Sequence, residues 1–184
     1  MKSKKILTFV SFIILGLSSI SNSNSIEPDV FVQSTVNRAS RVLSENLSKD
    51  QKIEKLKSIA EETVDIQGIG MYTLGAFRKT LSEDQKEQYK VLFKQYFLKT
   101  FSSRLAEYSN PEIQVTSKEK INKNYTMVSS ILVATDQRAE INIDWRIYTK
   151  NIDDLKIRDL VIEGLSLART QKEEFSSIIQ NNDG

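Results

Sequence analysis

Apolar residues recur along this chain with two periods, and the change between them falls near Asn110-Pro111. Before it they return every three or four residues, as on one face of a helix; after it they alternate with polar residues, as in a strand with one dry face. Pro28 stands where a helix can begin, and Val32, Val36, Ala39, Leu43 and Leu47 form its stripe. Ser48 with Gln51 three residues on makes a capping box for a second helix, whose face is Ile53, Leu56, Ile59 and Ala60. Together they predict an antiparallel helical hairpin with a short connection. TVDIQGIGMYTLGAF, residues 63–77, is apolar but punctuated by Gly68, Gly70 and Gly75, and predicts broken helical turns packed closely on a neighbour. A nucleotide-binding role for Gly68-Ile-Gly70 fails on context, because the pair follows a helix and Thr73 occupies the place of a third glycine. A long third helix starts at Ser82, capped with Gln85, and runs to about Tyr108. Its stripe is aromatic: Tyr89, Leu92, Phe93, Tyr96, Phe97, Phe101, Leu105 and Tyr108.

Four strands follow, EIQVTSKEKI, NYTMVSSILVAT, AEINIDWRIYTK and DLKIRDLVIEG, joined by short polar turns that include residues 136–138 and 151–154. From Gly164 a last helix turns Leu165, Ala168, Phe175 and Ile178 or Ile179 inward. The order predicts an α+β fold, helices packed on one curved antiparallel sheet of about four strands. The cleanest alternation is residues 139–150, where Ala139, Ile141, Ile143, Trp145 and Ile147 share one face. That face is either ordinary core or the wall of a hydrophobic pocket between sheet and helices. The candidate wall is Ile141, Ile143, Trp145, Ile147 and Ile157 from the sheet, Phe93, Phe97 and Phe101 from the long helix, and Met71, Tyr72 and Leu74 from the glycine-punctuated segment. Ile131 and Val133 join it if the odd parity of residues 124–135 faces inward.

Composition narrows the chemistry. The chain opens with three lysines, an apolar run from Ile6 to about Leu17 and a serine-rich stretch, the anatomy of a secretory signal peptide cleaved near Ser25. The expected organisation is a signal peptide over residues 1–25 and a single domain over 26–184. There is no cysteine, so no lipid anchor through an acylated Cys and no disulfide. Removing the signal takes away three of 26 basic residues and none of 24 acidic ones, leaving a mature charge of −1. A near-neutral chain with interspersed charges is not a nucleic-acid binder.

With no histidine and no cysteine, the common metal ligands and nucleophile–base pairs are missing. Asp159 shares the parity of Leu155 and Ile157, with Glu163 four residues later, and could form an acid–base pair. The simpler expectation is that Asp159 pairs with an arginine such as Arg78 or Arg169, or that a bulge turns it outward. Glu61, Glu62 and Asp65 read as a solvated helix end rather than a cation site. No catalytic residue, metal site or cofactor is expected.

Two segments carry more than pattern. Residues 74–109, with Leu74-Gly75, Gln85 and Tyr89-Leu92-Phe93, and residues 143–184, with Lys156-Ile157-Arg158-Asp159, Glu163-Gly164-Leu165-Ser166 and Phe175, resemble the toluene-tolerance, or MlaC-type, family of periplasmic proteins. Leu155, Arg78 and Lys172 depart from residues common in that family. The resemblance implies a monomeric, soluble periplasmic carrier, the substrate-binding component of a lipid-transport pathway, with phospholipid acyl chains in a hydrophobic pocket. It implies exchange between an outer-membrane lipoprotein complex and an inner-membrane ABC transporter with an MCE-domain subunit, with transient membrane contact. The residues also accommodate an adaptor or chaperone using the same apolar face for a protein partner, or a carrier of another apolar molecule such as a hopanoid.

Overall fold

The computed structural model describes residues 26–109 and 111–182; the expected signal peptide lies outside them. The helical hairpin is α1 (Pro28–Ser44) and α2 (Lys49–Thr63), followed by α3 (Ile66–Thr73), a 3-10 turn (Phe77–Lys79) and α4 (Glu83–Leu105). The strands are β1 (Ile113–Asn122), β2 (Tyr125–Leu132), β3 (Ile141–Tyr148), β4 (Lys156–Ile162) and the two-residue β5 (Leu165–Ser166), and α5 (Leu167–Asn181) closes the chain. The sheet is open and wholly antiparallel, with the strands side by side in chain order. An α+β architecture is thus present, with one short strand more than the sequence predicts.

Local chemistry explains the starts of the helices. Pro28 occupies the first turn of α1, where its missing N–H costs nothing. Both expected capping boxes form: Ser48 with Gln51 opens α2, and Ser82 with Gln85 opens α4. Each pair satisfies two backbone groups that a helix end would otherwise leave to water.

Register defines the two faces of the sheet. Val128 is paired with Trp145 and Trp145 with Leu160, Thr126 with Ile147 and Ile147 with Ile157, and Ser130 with Ile143. This face joins Val32 and Val36 of α1, Ala60 of α2, Ile66 and Ile69 of α3, and Phe93 and Leu98 of α4 in one buried cluster. The indole N–H of Trp145 donates to Ser130 Oγ at 2.8 Å, and that hydroxyl donates to the Ile143 carbonyl at 3.0 Å. Every polar atom of that group is therefore satisfied inside an apolar layer. The opposite face pairs Tyr125 with Tyr148, Met127 with Arg146 and Ile131 with Asn142.

A bulge in β4 changes what strand parity predicts. Ile147 faces Ile157 while the preceding Arg146 faces Asp159, so Arg158 is the extra residue. Regular alternation would place Asp159 beside Ile157 in the apolar cluster, where an ionised carboxylate is costly. The bulge instead sends Asp159 to the Arg146 face, and Leu160 and Ile162 resume the Trp145 face.

Candidate functional site

The position of α3 is set at the sheet edge. Val64 bridges Ile157 alongside β4, and the Asp65 N–H donates to the Ile157 carbonyl at 3.0 Å. Asp65 then caps α3, its carboxylate accepting from the Gly68 N–H at 2.8 Å while pairing with the Arg158 guanidinium. Two glycines let the helix lie close to both neighbours. A Cβ on Gly68 would meet the Asp65 carboxylate at 2.5 Å, and one on Gly70 would meet the Phe93 ring at 2.7 Å. The close packing expected of this segment is present.

On one side of α3 runs an aromatic ladder along α4. Ring centroids are 5.9 Å apart for Tyr89 and Phe93, 6.2 Å for Phe93 and Phe97, and 5.3 Å for Phe97 and Phe101. Phe175 of α5 meets Phe93 edge-on at 6.0 Å. The Tyr89 hydroxyl shares a 2.7 Å hydrogen bond with Thr73 of α3, and burial raises its pKa, so it stays protonated at neutral pH.

Around the other side of α3 lies a cleft of about 370 Å³, within the ~300–1,000 Å³ of small-molecule sites. Gly68, Ile69 and Tyr72 of α3 form one wall. Ile121, Asn122 and Tyr125 at the end of the β1–β2 hairpin form another, and Arg146, Arg158, Asp159 and Ala168 complete it. Ile69 belongs both to this wall and to the buried cluster. Arg158 lies over the Tyr148 ring at 4.5 Å from its centroid and donates to the Tyr125 hydroxyl at 3.5 Å. The cleft is thus apolar along α3 and lined along the strands by two arginines, each beside a carboxylate, Arg158 with Asp65 and Arg146 with Asp159.

The candidate wall residues divide into three groups. Phe93, Leu74, Ile143, Trp145, Ile147 and Ile157 are buried, and Phe97, Phe101 and Ile141 are half-buried against the same cluster. Tyr72 lines the cleft, and Met71 is half-buried beside it on α3. Ile131 is on the Arg146 face opposite Trp145, and Val133 shares its parity, so the even residues of β2 are the ones that join the Trp145 layer. The aromatic stripe of α4 is narrower than expected: Leu92 is 63% exposed, and Tyr96 and Tyr108 are also exposed. Leu165, expected inward, is exposed as well.

Of the expected wall residues Tyr72 alone lines the cleft; Gly68, Ile69, Ile121, Asn122, Tyr125, Arg146, Arg158 and Ala168 were not among them. A signal for two of them was present, because Arg146 and Arg158 are the arginines of adjacent strands flanking a buried carboxylate.

Asp159, 4% exposed, is structurally engaged. It accepts from the Ser166 hydroxyl at 2.6 Å and from the Ala168 N–H at 3.0 Å at the start of α5, and its nearest cation is Arg146 at 3.8 Å. The partner is therefore neither Arg78 nor Arg169. Glu163 turns to Asn142, accepting from its backbone N–H at 2.5 Å and from its side-chain amide at 3.2 Å. Glu61 pairs with Lys94, and Glu62 with Arg38. Among the described residues no group of acids converges on a cation position.

An α+β domain with a dry aromatic layer, a cleft beside it and acids committed to structure has the features of a binding protein. Residues 33–184 match the family model described as MlaC protein, and the chain belongs to that family. A phospholipid-binding protein from Ralstonia solanacearum, solved in complex with a phospholipid, shares the fold, with a TM-score of 0.72 at 18% identity, over 86% of this chain and 90% of that one. The family is periplasmic in general, and among the described residues no helix is long and apolar enough to cross a membrane.

Proposed function

We propose that this chain is a periplasmic phospholipid carrier, made with a cleaved signal peptide and working as a monomer between an outer-membrane lipoprotein complex and an inner-membrane ABC transporter with an MCE-domain subunit. Acyl chains lie between the Trp145 face of the sheet and the Phe93–Phe97–Phe101 ladder, entering past α3. The headgroup stays at the cleft, where Arg146, Arg158 and the Tyr125 hydroxyl suit a phosphate. The observation that carries this reading is Ile69, a single side chain that belongs both to the cleft wall and to the buried apolar cluster.

Energetics favour such a route without demanding extreme affinity. Burying a chain of roughly 16 carbons from water gains on the order of 13 kcal/mol at ~0.8 kcal/mol per CH₂. The donor, however, is a bilayer, where the chains are already dry. Transfer from bilayer to protein is then nearly neutral, and the protein supplies a continuous dry path.

Replacing exposed Tyr72 by Glu places a charge in the cleft wall without touching the core. Wild-type protein incubated with phospholipid vesicles is expected to acquire bound phospholipid by mass spectrometry, and Tyr72→Glu to lose most of it at unchanged melting temperature. Equal loading of both proteins would contradict the route. A co-purifying polypeptide in place of lipid would favour an adaptor.

A further inference from the structure

Arg158 is held from three sides. As the extra residue of the β4 bulge it leaves the alternation of the strand, and its guanidinium lies over Tyr148, 4.5 Å from the ring centroid. Its Nε is buried against the Asp65 carboxylate in an ion pair. The backbone of α3 closes the third side, where a Cβ at Gly68 would stand 2.9 Å from Arg158 Cζ. Neither Asp65 nor Tyr148 lines the cleft, whereas Arg158, Gly68 and Tyr125 do. The guanidinium therefore turns its Nε side to a partner outside the cleft, and one terminal nitrogen reaches Tyr125 Oη, inside it, at 3.5 Å.

Arg146 provides the contrast. Its side chain is 43% exposed, and among the described residues its one ion pair is the 3.8 Å approach to Asp159. That carboxylate already accepts from Ser166 and Ala168. A single long contact leaves the fork of Arg146 free to turn. Two parallel N–H donors match a phosphate only when the guanidinium plane is fixed, and an arginine fixed in advance has less freedom to lose on binding.

We propose that Asp65 is a positioning residue for the headgroup: it acts through Arg158, keeping the terminal nitrogens of the guanidinium toward the cleft for the lipid phosphate. The proposal rests on the carrier reading and adds to it the residue that sets the preference for a phosphorylated lipid over acyl chains alone. Charge by itself argues the other way, because an aspartate near a phosphate repels it. The sign of the effect of removing that charge therefore separates positioning from repulsion.

The test is competitive loading of the mature chain from detergent micelles that hold equal amounts of phosphatidylcholine and a diacylglycerol with the same acyl chains. The buffer is phosphate-free, so the headgroup is the sole source of phosphate, and bound lipids are counted by mass spectrometry. Burial of identical chains cancels in the ratio of the two lipids. Wild type is expected to prefer phosphatidylcholine. Asp65→Asn keeps an oxygen to accept from the Gly68 N–H, and should lower the ratio about tenfold, the worth of one charged hydrogen bond. Arg158→Gln should lower it at least as far, and adding Asp65→Asn to that variant should change the ratio no further. A purely structural Asp65 would reduce uptake of both lipids together and leave the ratio as in wild type, and a repelling one would raise it; either result overturns the proposal, as does an additive effect in the double variant. Equal uptake of the two lipids by wild type overturns the phosphate contact and keeps a carrier of apolar chains, whereas uptake of neither removes the carrier reading itself.

Discussion

Three residues carry testable consequences. Gly70 touches the Phe93 ring closely enough that an added methyl would stand 2.7 Å from it. Because Phe93 is itself packed on Tyr89, Phe97 and Phe175, Gly70→Ala should destabilise the fold by about 1–3 kcal/mol, as overpacking does; urea unfolding reads this directly. Asp159 receives the N–H of Ala168, the second residue of α5, and the Ser166 hydroxyl. Asp159→Ala removes the shared acceptor of both donors and should cost about 1–3 kcal/mol. Asp159→Asn with lipid binding intact but a lost chemical activity would be needed to revive a catalytic role.

Tyr89 makes a pH prediction. Burial raises its pKa in the folded state above the ordinary 10.0, and the Thr73 hydrogen bond opposes this only in part. The folded state therefore holds the proton longer than the unfolded one. Stability is unaffected below about 10 and falls as pH rises from there through the folded-state value. Tyr89→Phe should flatten that alkaline decline in a series of thermal melts.

At the scale of elements, end chemistry and period were readable, and long-range geometry was not. The capping boxes at Ser48 and Ser82 formed where their side chains placed them, because capping is settled within four residues. Ser82→Ala should lower stability by ~1 kcal/mol, measured by chemical denaturation. The even residues of β2 and the odd residues of β3 share a face only because Val128 pairs with Trp145, a register that neither strand specifies alone.

The bulge at Arg158 was an alternative rather than a deduction for the same reason. Alternation in LKIRDLV is consistent with Asp159 facing inward, and what opposes it is the cost of a carboxylate beside Val128 and Trp145, visible only once the sheet is assembled. Likewise α4 carries apolar residues around much of its circumference, and Leu92 is left outside because α3 and the sheet approach from the Phe93 side. The cleft itself was illegible, since Ile121, Ile69 and Ala168 come from segments more than 40 positions apart.

For the whole molecule, the fold unites a filled apolar layer and an open arginine-lined cleft, separated by an eight-residue helix bearing two glycines in close contact. With no disulfide to stiffen it, the domain depends on that layer for stability and, in the proposed function, parts it to admit an acyl chain. The two demands meet at Ile69 and Phe93. The most direct test is native mass spectrometry of the mature protein, purified gently from an envelope extract, with analysis of whatever is bound. A stoichiometric phospholipid is the expected result. An empty protein that also takes up no lipid from vesicles or micelles would contradict it, and the layer behind α3 would then be ordinary core.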